Sequence, residues 1–193
     1  MITNIFPIPV YKTTVKNKIN KKDMSKYKIR KNEFNSITNY KNVLKDFPKL
    51  KKEIERHLND YLKMVYNPST NVKVYITESW LNFTEKGETH HRHNHPNSFI
   101  SGVYYVSADE ELDRINFLND RKGALEIVPK QYNDWNCTSY YFGIKSQDII
   151  LFPSSLEHFV NPVESTKTRI SLAFNSFLKG ELGSTNNATY LKL

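Results

Sequence analysis

The sequence predicts a mainly β fold of the double-stranded β-helix, or jelly-roll, class with an N-terminal helix packed on the sheet. About eight or nine short segments after residue 70 are rich in β-branched and aromatic residues and alternate with period two, which is typical of strands. One earlier segment instead repeats apolar residues at helical spacing. Many short strands after one helix suit a jelly roll whose open end holds a ligand.

The helix is predicted directly after Asp46, which can cap it, with Pro48 in the first turn. Residues 67–69, Asn-Pro-Ser, are expected to end it. Ahead of the helix, residues 5–11 contain two prolines, which exclude helix and indicate an extended edge strand. The apolar positions at helical spacing are Phe47, Leu50, Ile54, Leu58, Tyr61, Leu62 and Val65.

Strands are predicted from residue 72 onward, together with a histidine-rich strand after the first of them. Residues 129–139 are polar and aromatic and indicate a long loop over the mouth of the barrel, either a lid or an ordinary insertion. The remaining predicted strands are 72–83, 100–107, 115–118, 124–128, 140–144, 148–152, 158–163 and 169–177.

The length of 193 residues suits a single domain. We expect residues 1–70 to support the fold, residues 71–180 to form the core and residues 181–193 to form a tail. No apolar run is long enough to indicate a signal peptide or a membrane span. Cys137 is the only cysteine, so no internal disulfide can form, and a reducing cytoplasm is the expected location.

The formal net charge of +8 is concentrated at the N-terminus. Residues 1–56 hold 15 Lys and Arg against 5 Asp and Glu, which leaves 13 against 15 for the rest of the chain. A basic arm that binds nucleic acid is one interpretation. The abundance of lysine and asparagine throughout favours an ordinary solvated surface.

Four of the six histidines lie between residues 80 and 106. On a strand, side chains two apart share a face, so His91, His93 and His95 can point one way while His90 points the other way. A protein-bound ion needs three or four ligands, so a further ligand must come from elsewhere. His57 falls in the predicted helix, whereas His158 follows a strand that looks buried and is the better candidate.

The strand that begins at Arg169 predicts an anion-binding face. Arg169, Ser171, Ala173 and Asn175 alternate with the apolar residues of the other face. An arginine and a serine on an inward face of small residues favour a clamp for a carboxylate, because a guanidinium matches carboxylate geometry.

The order H-x-H, S-G-V-Y-Y-V, L-F-P-S-x-L-x-H and R-I-S-x-x-F-N resembles the small non-haem Fe(II), 2-oxoglutarate-dependent oxygenases related to prolyl hydroxylases, over roughly residues 75–180. The resemblance implies Fe(II) on His93, His95 and His158, and Arg169 with Ser171 on the distal carboxylate of 2-oxoglutarate, with O₂ as the second cosubstrate. Asn82, Tyr104 and Asn175 are further candidates for contacts along 2-oxoglutarate.

The chain departs from the family pattern at His95, where H-x-D or H-x-E is usual. The third iron ligand is therefore either His95 or a carboxylate elsewhere. Glu126 and Asp148 are the acids to examine first, although Asp148 lies beside a predicted turn.

The resemblance implies a dioxygenase that hydroxylates its substrate. A peptidyl side chain is the first expectation, while free amino acids, small metabolites and nucleobases stay open. Two alternatives are a cupin-type three-histidine dioxygenase and a jelly-roll binding module without enzymatic activity. The expected partners are a small-molecule cosubstrate and this substrate, with no membrane.

Overall fold

The computed structural model describes residues 2–119 and 127–193. Within these residues, twelve strands form two antiparallel sheets and one α-helix, α1 (Pro48–Tyr66), lies on the larger sheet. The strands are β1 (Tyr11–Thr14), β2 (Ile29–Lys31), β3 (Ser36–Thr38), β4 (Val72–Thr84), β5 (His90–His93), β6 (Ile100–Ser107), β7 (Arg114–Leu118), β8 (Ser139–Gly143), β9 (Asp148–Pro153), β10 (His158–Val160), β11 (Arg169–Leu182) and β12 (Leu191–Lys192).

The larger sheet has the order β1-β9-β6-β11-β4-β3-β2, with β12 added to β11, and the smaller sheet has the order β5-β10-β7-β8. The strands β2, β3 and β4, the pair β7 and β8, and the pair β11 and β12 are consecutive in the chain, but the other sheet neighbours are not, so the chain crosses repeatedly between the sheets. This arrangement confirms the predicted double-stranded β-helix.

Two hydrophobic cores lie on opposite faces of the larger sheet. On the outer face, Leu50, Ile54 and Leu58 of α1 pack in one cluster with Tyr104 and Leu172. On the inner face, the second cluster joins the two sheets through Val103, Tyr105, Ile115, Phe117, Ile150 and Phe152. The period-two alternation of each strand therefore separates the residues that pack on α1 from the residues that face the space between the sheets.

The predicted helix is confirmed, but the predicted cap is wrong. Phe47 occupies the N-cap position without a side-chain hydrogen bond, and Asp46 instead accepts a hydrogen bond of 2.7 Å from the Tyr27 hydroxyl. Pro48 lies in the first turn, where its missing N–H costs nothing. The helix ends at Tyr66, and the C-cap residue Asn67 has a φ of 42°, the left-handed conformation common at this position.

The basic N-terminal segment is more ordered than its composition indicates. Val15, Ile19 and Met24 are buried in the core beneath α1, and β1 begins at Tyr11, where the predicted edge strand ended. Lysines of this segment pair with acids at Lys12–Asp148, Lys26–Asp46 and Lys31–Glu88. These contacts agree with the favoured interpretation of an ordinary surface segment, and nucleic-acid binding by the segment stays the alternative.

Further differences concern short or edge elements. The strands β2, β3 and β12 are two or three residues long and were not predicted. The predicted strand 124–128 falls largely outside the described residues. No helix in the described part of the chain is both long and apolar enough to cross a membrane.

Gly102 offers a test of packing at the centre of the larger sheet. A Cβ built there would lie 2.3 Å from Phe174 Cζ and 2.7 Å from Leu151 Cδ2, and both of these side chains are fully buried. Gly102→Ala is therefore expected to destabilise the protein by about 1–3 kcal/mol through overpacking. Chemical denaturation measures the change.

Gly143→Ala is the matched control, because the nearest atom to its Cβ would be Arg114 Nη1 at 3.8 Å. It should change the free energy of unfolding by less than about 0.5 kcal/mol. Equal stability of the two variants would contradict the packing described.

Candidate metal and carboxylate site

A narrow pocket opens between the two sheets and combines imidazoles, a guanidinium and apolar walls. The larger sheet contributes side chains from β4, β6 and β11, and the smaller sheet contributes them from β5, β7 and β10, together with His95 just beyond β5. The lining residues are Trp80, Asn82, His90, His93, His95, Val103, Ile115, His158, Phe159, Val160, Arg169, Ser171 and Ala173.

Three histidines converge in this pocket. His93, His95 and His158 each offer a ring nitrogen, and these atoms lie within 4.8 Å of one another. The Nε2 atoms of His95 and His158 are 3.3 Å apart. Two nitrogens bound at ~2.1 Å to one ion at an angle of roughly 90–110° would lie roughly 3.0–3.4 Å apart, so the spacing fits a shared metal.

Backbone hydrogen bonds orient two of these rings. His158 Nδ1 lies 3.1 Å from the Leu156 carbonyl, and His93 Nδ1 lies 2.8 Å from the His91 carbonyl. Because a carbonyl only accepts, each Nδ1 carries the proton, and each neutral ring keeps its lone pair on Nε2. Partners of this kind commonly orient metal-binding histidines.

The environment keeps the rings neutral. Burial, with a smaller contribution from neighbouring His93, lowers the pKa of His158 to about 2 and that of His95 to about 4. Burial also lowers the pKa of His93. Metal binding requires the neutral imidazole, so protons compete weakly with an ion near neutral pH.

The predicted alternation of the histidine strand is wrong. In the pairing of β5 with β10, His93 lies opposite His158 and His90 lies opposite Val160, so β5 carries an extra residue. A β-bulge of this kind changes the face that a side chain occupies. His90 consequently lines the pocket and stacks on His93 with ring centroids 4.6 Å apart, whereas His91 is exposed and packs on Phe34.

A second histidine group, His90, His91 and His93, also has nitrogens within 4.8 Å. It shares His93 with the first group and includes the exposed His91. The group of His93, His95 and His158 is the more enclosed of the two, and metal sites in proteins are surrounded by protein atoms that control solvent access. We therefore take it as the candidate metal centre.

Arg169 is buried in the same pocket. It is 2% exposed, its guanidinium lies 5.1 Å from the centre of the Tyr105 ring, and its Nε has no hydrogen-bond partner among the described residues. No ion pair joins it to Glu157 or Glu164 in the described part of the chain. An uncompensated buried cation is costly, so the site fits an anionic ligand.

Ser171 and Asn82 lie opposite each other in the β4–β11 ladder, and both side chains line the pocket. Asn82 Oδ1 is buried and has no hydrogen-bond partner within the described structure. The arrangement places a hydroxyl, an amide and a guanidinium along one wall, as expected for a carboxylate clamp.

The structure does not bring the other two predicted contacts to this wall. Tyr104 belongs to the core under α1, on the opposite face of the sheet, so its prediction is wrong. Asn175 lies six positions beyond Arg169 on β11, where its amide donates to Glu78 over 2.8 Å and also lies beside the ring of His95. Asn175 is not among the residues that line the pocket, and its contact with the cosubstrate stays a prediction.

No aspartate or glutamate belongs to either histidine group among the described residues. Asp148 begins β9, where it accepts a hydrogen bond from Thr14 and pairs with Lys12, so its role is structural. Glu126 lies outside the described residues. His95 is therefore the third candidate metal ligand, beside His93 and His158.

The loop over residues 129–139 does not line the histidine pocket in the part of the chain that the structure describes. Instead, Asp134, Trp135 and Cys137 line a separate cleft of about 420 Å³ together with the N-terminal residues Phe6 and Ile8. This placement favours the ordinary insertion over the lid.

We predict that alanine substitution at His93, His95 or His158 lowers the affinity for Fe(II) or Ni(II) by more than about 100-fold. This loss exceeds the one usual for residues that only hydrogen-bond to a metal ligand. Anaerobic titration of the metal-free protein measures the affinity. His91→Ala is the matched control and should bind like the wild type. A large loss in His91→Ala, with little change in His95→Ala, would contradict the assignment in favour of the second group.

The metal-free protein should lose stability as the pH falls from about 7 to about 5. In the unfolded chain, histidines take up protons below a pKa of about 6.5, whereas His158 and His95 stay neutral in the fold. The unfolded state then binds more protons, so the free energy of unfolding falls with the pH. Each histidine contributes at most about 1.4 kcal/mol per pH unit.

Denaturant unfolding in the presence of a chelator measures this slope, and His158→Asn should make it shallower. A free energy of unfolding that rises toward pH 5 would contradict the prediction.

Comparison with known proteins agrees with this geometry. A family model described as "Putative 2OG-Fe(II) oxygenase" matches residues 78–175, which are 98 of the 193 residues. The match spans Glu78 to Asn175 and so includes every residue of the proposed metal and carboxylate sites. No protein of curated function matches the chain in a sequence search.

Solved structures show the same fold at low identity. An oxidoreductase of the 2OG-Fe(II) oxygenase family from Burkholderia pseudomallei is 11% identical with a TM-score of 0.58, over 79% of this chain and 73% of that one. HygX from Streptomyces hygroscopicus, with nickel and 2-oxoglutarate bound, is 13% identical with a TM-score of 0.54, over 80% of this chain and 75% of that one. With the family match over half of its length, the chain belongs to the 2OG-Fe(II) oxygenases, enzymes that use Fe(II), 2-oxoglutarate and O₂.

Proposed function

We propose that this oxygenase is a hydroxylase in which His93, His95 and His158 hold Fe(II), and Arg169 and Ser171 hold 2-oxoglutarate. One observation carries the proposal: a buried arginine with an unpartnered Nε shares a narrow pocket with three neutral imidazoles. The donor set suits the ion, since imidazole nitrogens are common ligands of non-haem iron. The unpartnered Nε of the buried Arg169 suits the distal carboxylate.

When bound, the iron with 2-oxoglutarate and O₂ supplies the oxidation of a C–H bond to C–OH, while 2-oxoglutarate leaves as succinate and CO₂. The residues of the chain provide the binding and the orientation. Three protein ligands would leave coordination positions for the cosubstrates.

Arg169 would grip the distal carboxylate through two parallel N–H···O bonds, because its planar guanidinium matches the carboxylate. Ser171 and Asn82, which face each other across β11 and β4, would add a hydroxyl and an amide. Burial makes these contacts strong, because little water competes for the charged groups.

With this ligand set, the carboxylates of 2-oxoglutarate would be the main charges that neutralise Fe(II). Three neutral imidazoles leave the charge of the ion unreduced, whereas a carboxylate ligand would remove one unit. The two carboxylates of 2-oxoglutarate would then offset the ion and Arg169 together. We therefore expect ion and cosubstrate to bind with positive coupling.

For the substrate, we propose a peptidyl side chain, following the resemblance to prolyl hydroxylases. The rest of the pocket wall is largely apolar, with Val103, Ile115, Phe159 and Val160. Such a wall accommodates an unactivated carbon and excludes water from the reacting position. The narrow pocket admits a side chain rather than a folded protein surface.

Turnover tests the function directly. Fe(II)-loaded protein is incubated with 2-oxoglutarate and O₂, and succinate is measured with a library of peptides and a library of small metabolites. The proposal predicts succinate formation that is stimulated by peptides and abolished in His158→Ala. Stimulation only by metabolites would overturn the peptidyl assignment, and O₂ uptake without 2-oxoglutarate would favour the cupin-type three-histidine dioxygenase.

Arg169→Lys is expected to raise the dissociation constant of 2-oxoglutarate roughly 10- to 100-fold, because lysine keeps the charge but loses the two-pronged contact. The affinity for Fe(II) alone should stay unchanged. Calorimetric titrations with each ligand separate the two effects. Simultaneous loss of iron binding would mean that Arg169 supports the fold rather than the cosubstrate.

A further inference from the structure

A partly buried hydrogen-bond chain leads from β4 through β11 toward His95. Asn175 lies opposite Glu78 in the β4–β11 ladder, and its Nδ2 donates to Glu78 Oε1 over 2.8 Å. A carboxylate oxygen accepts, so this contact sets the orientation of the amide: Nδ2 faces Glu78, and Oδ1 is free to accept elsewhere. The ladder is irregular directly after Asn175, and such bulges re-aim side chains beside active sites.

The oxygen of the same amide faces inward. Asn175 Oδ1 accepts a hydrogen bond of 3.0 Å from Ser101 Oγ. The Asn175 amide also opposes, as an acceptor beside the ring, the larger lowering of the His95 pKa by burial and by His93. Because His95 Nε2 faces His158, Nδ1 is the nitrogen left for Asn175. An acceptor at Nδ1 keeps the proton there and leaves the lone pair of Nε2 for the metal.

The backbone of His95 depends on the same region. His95 lies beyond the end of β5, and its N–H donates to the Ser154 carbonyl over 2.9 Å. The Ser154 hydroxyl in turn lies 2.8 Å from the hydroxyl of Ser101 and 2.8 Å from that of Ser98. Because His95 lies beyond the β5 ladder, these contacts position its backbone instead.

The hydrogen-bond partner of the His95 ring differs in kind from those of His93 and His158. His93 and His158 use backbone carbonyls at Nδ1, whereas His95 is held by a side-chain amide that is itself bound to a carboxylate. Glu78 therefore places a negative charge behind His95. His95 is the residue that replaces the carboxylate of the family pattern.

We propose that Asn175 and Glu78 are positioning residues for the metal centre, an inference that rests on the ligand set of the proposed function. Asn175 holds His95 with Nε2 toward the metal, and Glu78 fixes the amide and makes His95 a stronger donor through it. Glu78 thus supplies part of the negative charge that a carboxylate ligand would bring to the metal.

Glu78→Gln is the decisive variant, because it keeps the size of the side chain and an acceptor for Asn175 while removing the charge. The affinity for Fe(II), titrated anaerobically, should fall about tenfold, the lower end of the effect of outer residues. The charge-transfer band that appears with 2-oxoglutarate should move to shorter wavelength, because a less electron-rich iron gives up an electron less readily. Asn175→Ala should lower the affinity about 10- to 100-fold.

Ser171→Ala is the matched control on the same face of β11. It should weaken 2-oxoglutarate binding but leave the affinity for Fe(II) and the position of the band unchanged. Wild-type affinity and an unshifted band in Glu78→Gln would overturn the inference, even if Asn175→Ala fails to fold. Wild-type affinity in His95→Ala would instead show that the proposed ligand set is wrong.

Discussion

The antiparallel pairing of β4 with β11 is the constraint on which the rest of the structure depends. Its register sets four cross-strand pairs side by side on the inner face, and these join the cosubstrate end of the pocket to the histidine end. The pairs, from one end to the other, are Thr84 with Arg169, Asn82 with Ser171, Trp80 with Ala173, and Glu78 with Asn175. Trp80 also packs on His95, so one ladder contacts both halves of the site.

The smaller sheet supplies the remaining ligands and depends on one irregularity. The bulge in β5 turns His90 and His93 to the same side, while β10 presents His158 opposite His93. The proposed metal site therefore lies where the two sheets face each other, with His93 on β5, His95 just beyond it and His158 on β10. Packing between the sheets therefore affects the site, for example at Phe152, whose ring centroid lies 4.6 Å from that of His158.

The sequence predicted regular strands well, because alternation is a local property. Arg169 and Ser171 could be placed on the inner face since β11 is regular over this stretch. Alternation cannot say which of Tyr104 and Tyr105 faces inward, and it failed at His90, where a bulge is decided by pairing with another strand. The link from Glu78 to Asn175 required the β4–β11 register, which joins residues far apart in the chain.

No carboxylate lies among the described ligand candidates. The central claim is therefore that three imidazoles complete the iron site and that 2-oxoglutarate supplies the balancing charge. Anaerobic titration of the Fe(II)-loaded protein with 2-oxoglutarate tests this claim most directly. A visible charge-transfer band should appear in the wild type and be lost in His95→Ala. A band that persists in His95→Ala, or none in iron-loaded wild type, would contradict the account.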